Sequence, residues 1–162
     1  AALKVAHQGL RRILEGKGIS VLGQGLDGPP RRLTEQFQQD PRAVLLGTSS
    51  FWEGVDMESG ALKVLVLARI PFNVPTDPIF DARSQLYEDP FKQYAVPQAV
   101  LRFRQGFGRL IRRQGDNGII VVLDRRLTSR GYGKAFLESI PGCTVARGRL
   151  RDMMAQVSKW LS

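Results

Sequence analysis

Residues 118–123 read GIIVVL, an uninterrupted apolar run that ends at the charged residue Asp124. Such runs are typical of strands buried on both faces, as in parallel sheets covered by helices. Similar runs at Ala43–Leu46 and Leu62–Ile70 predict two more strands, and Gly18–Leu22 is a shorter candidate. The strand pattern therefore favours a mostly parallel sheet.

Helical patterns alternate with these strands, at Ala1–Glu15, Pro30–Gln39 and Pro97–Arg113. Between Pro71 and Pro97 prolines interrupt the pattern, which predicts loops and short helices there. The alternation predicts an α/β layer fold, and residues 1–162 show no repeat or linker that would divide them. Because the chain opens inside a helix where such a sheet would have a strand, we expect it to be truncated at its amino end.

The composition is that of a basic globular domain. The chain has 24 Lys and Arg against 15 Asp and Glu, a net charge of +9, and 18 of the 24 basic residues are Arg. An arginine-rich surface fits a polyanionic partner, because the guanidinium fork matches phosphate oxygens. One cysteine excludes a disulfide framework, and no apolar run approaches the roughly 20 residues that span a bilayer. We therefore expect a cytoplasmic protein without membrane contact, and a monomer.

Several patterns resemble ligand sites but are better explained structurally. Gly23–Gly28 matches G-x-G-x-x-G, but Pro29 and Pro30 follow at once, so no helix begins where a dinucleotide fold needs one. Asp124 could imitate the metal-holding acid of an ATPase, yet the chain has no G-x-x-x-x-G-K-[ST] loop. Pairing with Arg125, Arg126 or another neighbour is therefore the better interpretation. The lone His7 and Cys143 are interpreted as structural.

Residues 48–56, TSSFWEGVD, follow a predicted strand and so lie at its carboxyl end, where open α/β sheets bind ligands. A structural interpretation is available, because Ser50 and Glu53 form a capping box and Phe51 and Trp52 suit a core. It does not account for Gly54 and Asp56 at the same end. The pattern alone leaves both interpretations open.

Residues 97–113, PQAVLRFRQGFGRLIRR, give the strongest functional signal. A helix would place Val100, Phe103, Phe107, Leu110 and Ile111 on one apolar stripe. Its opposite face would carry a set of polar residues without an acid: Arg102, Gln105, Arg109 and Arg112. Two glycines in this helix, each costing about 1 kcal/mol relative to alanine, suggest that something approaches its backbone. Uncompensated positive charge on that face predicts an anionic ligand, and the alternative is a solvated basic face.

These segments together resemble a known family. Residues 50–56, SFWEGVD, are similar to motif V of the DinG and XPD-like branch of superfamily 2 helicases, and residues 105–112, QGFGRLIR, to its motif VI, Q-x-x-G-R-x-x-R. Arg69-Ile70-Pro71-Phe72, with Pro75 and Asp77-Pro78, resembles the segment that connects them, and Asp124-Arg125-Arg126 also fits. The resemblance covers about residues 43–141, and more loosely the whole chain.

The resemblance implies the second of two RecA-like motor domains, a three-layer fold that hydrolyses ATP only with the first domain. That first domain would hold most of the ATP and Mg²⁺, and the single cysteine here cannot hold an iron–sulfur cluster. Arg109 and Arg112 would be arginine fingers toward the γ-phosphate, and Gln105 would orient the phosphate or the attacking water. The other implied contacts are nucleotide contacts by Glu53, Gly54, Asp56 and Gly108, and single-stranded DNA contacts by Ser49, Ser50 and, less strongly, Arg69.

Two other functions stay open on the sequence. The chain could be a module that binds nucleic acid or a phosphorylated ligand without turnover, as in exonuclease-fused members of the same branch. It could instead be a stand-alone α/β enzyme with a substrate site near Asp124.

Overall fold

The computed structural model describes residues 2–48, 51, 57–58, 60–73, 77–140 and 142–161. Helices and parallel strands alternate along the chain. In order, they are α1 (Ala2–Leu14), a 3₁₀ turn (Glu15–Lys17), β1 (Ser20–Gly23), α2 (Pro30–Gln39), β2 (Ala43–Leu46), β3 (Val64–Leu67), α3 (Pro78–Ser84), a π-helix (Pro90–Ala95), α4 (Val96–Leu110), β4 (Ile119–Val122), α5 (Arg126–Ser129), α6 (Gly133–Glu138) and α7 (Leu150–Leu161). They fall into two compact units, Ala1–Lys63 with Gly108–Asn117 and Val64–Phe107 with Gly118–Ser162.

The first unit contains the parallel pair β1 and β2, with Ser20 opposite Ala43 and Gly23 opposite Leu46. Helix α1 packs against β1, and α2 packs against both strands. The buried side chains of Leu33, Phe51 and Met57 form the centre of its core. Phe51 is therefore a core residue, as its place in the sequence suggested.

Side-chain hydrogen bonds fix the amino ends of β1 and β2. Ser20 Oγ donates to Asp40 Oδ2 at 2.5 Å, and the Arg42 N–H donates to Asp40 Oδ1 at 2.9 Å. The bond from Ser20, and then that from Arg42, hold the pKa of Asp40 below its usual value. Since a slip of β1 by one residue against β2 would break the bond from Ser20, Asp40 helps to set the strand register.

The second unit contains the parallel pair β3 and β4, with Val64 opposite Ile119 and Leu67 opposite Val122. A group of aromatic rings packs in this unit, with centroid separations between 5.5 and 6.3 Å: Phe72, Phe91, Phe103, Tyr132 and Phe136. Phe103 and Phe136 are almost completely buried. Phe72 is half-buried, and its ring packs against those of Phe91, Tyr132 and Phe136.

Helices α5 and α6 approach each other closely at Gly133, a buried residue. A Cβ atom added there would lie 1.9 Å from the Leu127 carbonyl oxygen and 2.6 Å from its carbonyl carbon. Both are backbone atoms, so only glycine fits this position.

The segment before α4 is a π-helix, in which the Val96 N–H donates to the Phe91 carbonyl five residues earlier. Asp89 begins it by accepting the Lys92 N–H at 2.9 Å, while the Gln93 side chain accepts the Asp89 N–H at 3.0 Å. Tyr94 packs against Phe80 of α3 at 5.0 Å between ring centroids. The proline-interrupted region thus forms short helices, as expected.

The parallel pairing and the alternation of helices and strands confirm the α/β class, and α2 has the predicted bounds. The expectation that the strands are buried on both faces is wrong. All residues of β2 and β4 are only half-buried, and Val66 of β3 is 55% exposed. Each sheet in the described residues has two strands, so every strand lies at an edge and keeps part of its surface accessible. No helix of the described residues is both long and apolar enough to cross a membrane.

Candidate functional site

Helix α4 carries the motif VI residues, and its buried side anchors it. Five residues at spacings of three and four are buried: Val96, Ala99, Phe103, Gly106 and Leu110. The predicted apolar stripe was right for Phe103 and Leu110, whereas Val100 and Phe107 are only half-buried. The stripe was misplaced because Gly106, which adds almost nothing to hydropathy, lies in the middle of the buried face.

The polar side of α4 carries Arg102, Gln105 and Arg109. Their spacings of three and four residues place them along one line of the helix surface. Gln105 is exposed, and the two arginines are half-buried. Helix α4 therefore presents a glutamine and an arginine of motif VI on successive turns.

The two glycines of α4 have different explanations. Gly106 is buried, so packing accounts for it. Gly108 is exposed, and no heavy atom among the described residues lies within 4 Å of where its Cβ would be. Packing therefore does not explain why Gly108 lacks a side chain, and its place beside a nucleotide stays a prediction.

Arg112 does not share the helical face of Arg109, which corrects the sequence interpretation. Helix α4 ends at Leu110, three residues before the predicted end. The backbone N–H groups of Arg112 and Arg113 both donate to Asp116 Oδ2 at 2.9 Å, which takes donors that a continuing helix would use. Arg112 therefore stands in an exposed turn after the helix.

The motif V segment begins at Thr48, directly after β2. Its predicted site residues Ser49, Ser50, Glu53, Gly54 and Asp56 lie outside the described residues, as does Trp52. Thr48 donates twice to Gln24 Oε1, from its N–H at 2.8 Å and from its Oγ1 at 3.0 Å. Gln24 follows β1, so one side chain joins the carboxyl ends of both strands at the start of motif V.

Gln24 lies inside the G-x-G-x-x-G pattern, and sequence reasoning missed its role. The pattern is a tight loop, because Leu26 and Asp27 both donate their N–H groups to the Gly23 carbonyl. Asp27 Oδ2 in turn accepts the Gly23 N–H at 2.7 Å. This self-contained loop supports the structural interpretation of the pattern.

His7 packs against the same loop. It is buried, and its Nε2 lies 2.7 Å from Asp27 Oδ2, although off the direction of a hydrogen bond. A Cβ at Gly23 would lie 2.8 Å from the His7 ring, so Gly23 makes room for it. These contacts join α1 to the loop, which supports a structural role for His7.

Asp124 lies two residues beyond the end of β4, and neighbouring residues donate hydrogen bonds to its carboxylate. Its carboxylate accepts the Ile70 N–H at 3.0 Å, the Arg126 N–H at 3.0 Å and the Arg126 Nη2 at 2.6 Å. The side-chain bond from Arg126 holds the pKa of Asp124 far below its usual value, and burial opposes the shift only in part. The predicted pairing with Arg126 is confirmed, and it leaves Asp124 poorly suited as a metal ligand.

The hydrogen bonds of Asp124 with Ile70 and Arg126, here called the Asp124 clamp, also bear on Arg69, the predicted DNA-contacting residue. Arg69 is exposed two residues beyond β3, next to Ile70, whose N–H donates to the Asp124 carboxylate. Arg126 lies over the Phe72 ring at 5.7 Å, which joins the clamp to the aromatic core. The backbone beneath Arg69 is therefore anchored while its side chain remains accessible.

The described residues bring together no group of three or more His, Cys, Asp or Glu that could hold a metal ion.

Residues 1–143 match the family described as the helicase C-terminal domain, and the chain belongs to that family. The resemblance read from motifs V and VI is thereby confirmed.

Among its relatives is the "3'-5' exonuclease DinG" of Bacillus subtilis, 40% identical over 96% of this chain and 17% of the relative. The "ATP-dependent DNA helicase DinG" of Photobacterium profundum is 46% identical over 85% of this chain and 21% of the relative. The "ATP-dependent DNA helicase YoaA" of Escherichia coli is 42% identical over 76% of this chain and 20% of the relative. The chain thus spans about a fifth of the length of these relatives.

Proposed function

We propose that the chain is the second, RecA-like motor domain of an ATP-dependent DNA helicase. Membership of the helicase C-terminal domain family supports this, as do relatives named ATP-dependent DNA helicases. The observation that carries the proposal is the polar side of α4, where Gln105 and Arg109 stand on successive turns opposite a buried face. A helix is rigid, so it can hold side chains in the single geometry that phosphate binding requires.

In this proposal Arg109 and Arg112 are arginine fingers. Phosphoryl transfer is accelerated mainly by positioning and by stabilising charge, which a planar guanidinium does well. Gln105 orients the phosphate or the attacking water, and Gly108 lets the helix pass near the nucleotide. Glu53, Gly54 and Asp56 complete the nucleotide contacts.

The proposed nucleic-acid partner is single-stranded DNA. Ser49, Ser50 and Arg69 would contact its backbone, which positions a strand without reading its sequence. The net charge of +9 and the exposed Arg69 support this. ATP and Mg²⁺ would be bound mainly by the first motor domain, so the isolated chain is inactive in this proposal.

The test is ATP turnover by the full-length protein carrying Arg109→Lys or Arg112→Lys, with Arg113→Lys as the matched control. We expect a loss toward the lower end of the roughly 10³–10⁵-fold range for arginine fingers, because two arginines share the task. Lysine keeps the charge but lacks the fork. Nucleotide affinity should fall less than turnover, as an interaction made mainly in the transition state requires. Equal effects of all three substitutions would refute the assignment.

A second candidate is supported by the relative named 3'-5' exonuclease DinG, which aligns with nearly the whole chain. This second candidate function is a module of the present chain that binds nucleic acid without unwinding it. Single-stranded DNA that binds the full-length protein but leaves its ATP turnover unchanged would favour this candidate.

A further inference from the structure

Asp116 forms a hydrogen-bonded turn with Arg112 and Arg113, the two arginines that follow α4. One carboxylate oxygen, Oδ2, accepts the N–H groups of both Arg112 and Arg113, each at 2.9 Å. The Asp116 N–H returns a bond to the Arg113 carbonyl at 3.1 Å. Gly115, with φ of 97°, supplies the left-handed turn that brings the carboxylate back. Three hydrogen bonds therefore fix the backbone of a five-residue turn.

The hydrogen bonds to Asp116 fix the backbone of Arg112, which has no helical hydrogen bonding of its own to do so. Arg112 lies beyond the last residue of α4, so helical hydrogen bonding does not fix its backbone as it does for Arg109. Its side chain is exposed and long, and such a side chain loses rotamer freedom when it is held in one place. A fixed Cα position helps the chain to aim this guanidinium.

We propose that Asp116 is a positioning residue for Arg112, an inference that rests on the proposed role of Arg112 as an arginine finger. Asp116 holds the Arg112 backbone so that the guanidinium reaches the transferring phosphate in one geometry. Bonds from N–H groups to a carboxylate are stronger than neutral ones, which suits a turn without helical support. Asp116 itself touches neither nucleotide nor DNA in this proposal.

The position offers a conservative replacement. Asparagine keeps a side-chain oxygen that can accept both N–H groups, although more weakly than a carboxylate, whereas alanine removes the acceptor. The chain also offers a matched control at Asp77, where one carboxylate oxygen likewise accepts two backbone N–H groups, those of Ile79 at 3.0 Å and Phe80 at 3.2 Å. Asp77→Ala likewise removes a carboxylate that accepts two backbone N–H groups, in this case at the start of α3, which carries no proposed site residue.

The experiment measures kcat for single-stranded-DNA-stimulated ATP hydrolysis, and ATP affinity, in the full-length protein. The variants are Asp116→Ala, Asp116→Asn, Arg112→Ala, the Asp116→Ala/Arg112→Ala double variant and Asp77→Ala. We expect Asp116→Ala to lower kcat about 10- to 100-fold, the scale of a misplacement near 1 Å, with ATP affinity changed less than threefold. Asp116→Asn should recover most of kcat, and Asp77→Ala should match the parent protein.

The double variant separates positioning from general support of the fold. If Asp116 acts through Arg112, then Asp116→Ala adds less than a twofold loss once Arg112 is alanine. Additive losses, or a normal kcat for Asp116→Ala beside a slow Arg112→Ala, would overturn the inference and leave the proposed function standing. A normal kcat for Arg112→Ala would refute the arginine-finger role of Arg112 itself, and with it the inference.

Discussion

Replacing Gly133 with alanine should loosen the contact between α5 and α6. The new Cβ would lie 1.9 Å from the Leu127 carbonyl oxygen, whereas carbon and oxygen atoms in contact are normally about 3.3 Å apart. The backbone must therefore open by about 1.4 Å. Overpacking of this kind costs up to about 3 kcal/mol, and the better helix propensity of alanine returns about 1 kcal/mol. The net expected loss is about 2 kcal/mol.

Hydrogen exchange in the full-length protein measures this loss locally. Since about 1.4 kcal/mol corresponds to a tenfold change in an equilibrium constant, amides of residues 126–138 should exchange about 30-fold faster in Gly133→Ala. Gly9→Ala is the matched control, because Gly9 lies in α1 with no heavy atom within 4 Å of its added Cβ. That substitution should slow exchange in α1. Unchanged exchange in residues 126–138 of Gly133→Ala would refute the packing argument.

Three further predictions concern the clamp, the charge and the catalytic requirement. Because the pKa of Asp124 is lowered in the folded state, its contribution is complete above about pH 4 and is lost as the pH falls through the folded pKa. Asp124→Asn should therefore lower the unfolding temperature at pH 7, and the difference between the two proteins should shrink steadily as the pH falls below about 4; a constant difference between them would contradict the assignment. Binding of the chain to single-stranded DNA should be weak, indifferent to sequence and steeply reduced by salt, since basic contacts release counterions; fluorescence anisotropy at several salt concentrations measures it, and salt-independent affinity would contradict backbone contacts. The purified chain should not hydrolyse ATP, because its sequence has no phosphate-binding loop; turnover that scales with its concentration through further purification would show this prediction wrong.

The sequence predicted the α/β class well because its signals are local. Helix α2 begins at a proline suited to the first helical turn and ends before Asp40, so both bounds could be read directly. The apolar runs located all four described strands, because β-branched residues favour extended backbone. Burial could not be read in the same way, because it depends on how many strands flank each run.

The candidate site was predictable as a set of residues and less so as geometry. The motif VI residues were identified, but the end of α4 was not, because a carboxylate four residues beyond Arg112 competes for its backbone N–H. The adjacent Gly115 and Asp116 were the available signal, since such pairs are typical of turns. Gln24 was harder to find, because its partner Thr48 is distant in sequence. The roles of the site residues remain predictions.

The π-helix ahead of α4 has a consequence for how this family can change over evolution. A π-turn holds one residue more than an α-turn, so residues 90–95 can absorb the loss of one residue by converting to an α-helix. From Val96 to Leu110 the helix is a regular α-helix, which has no extra residue to lose. One added residue there would rotate everything after it by about 100° about the helix axis and turn Arg109 away from its present direction. Length variation should therefore collect before Val96, while the fifteen residues from Val96 to Leu110 keep a constant length.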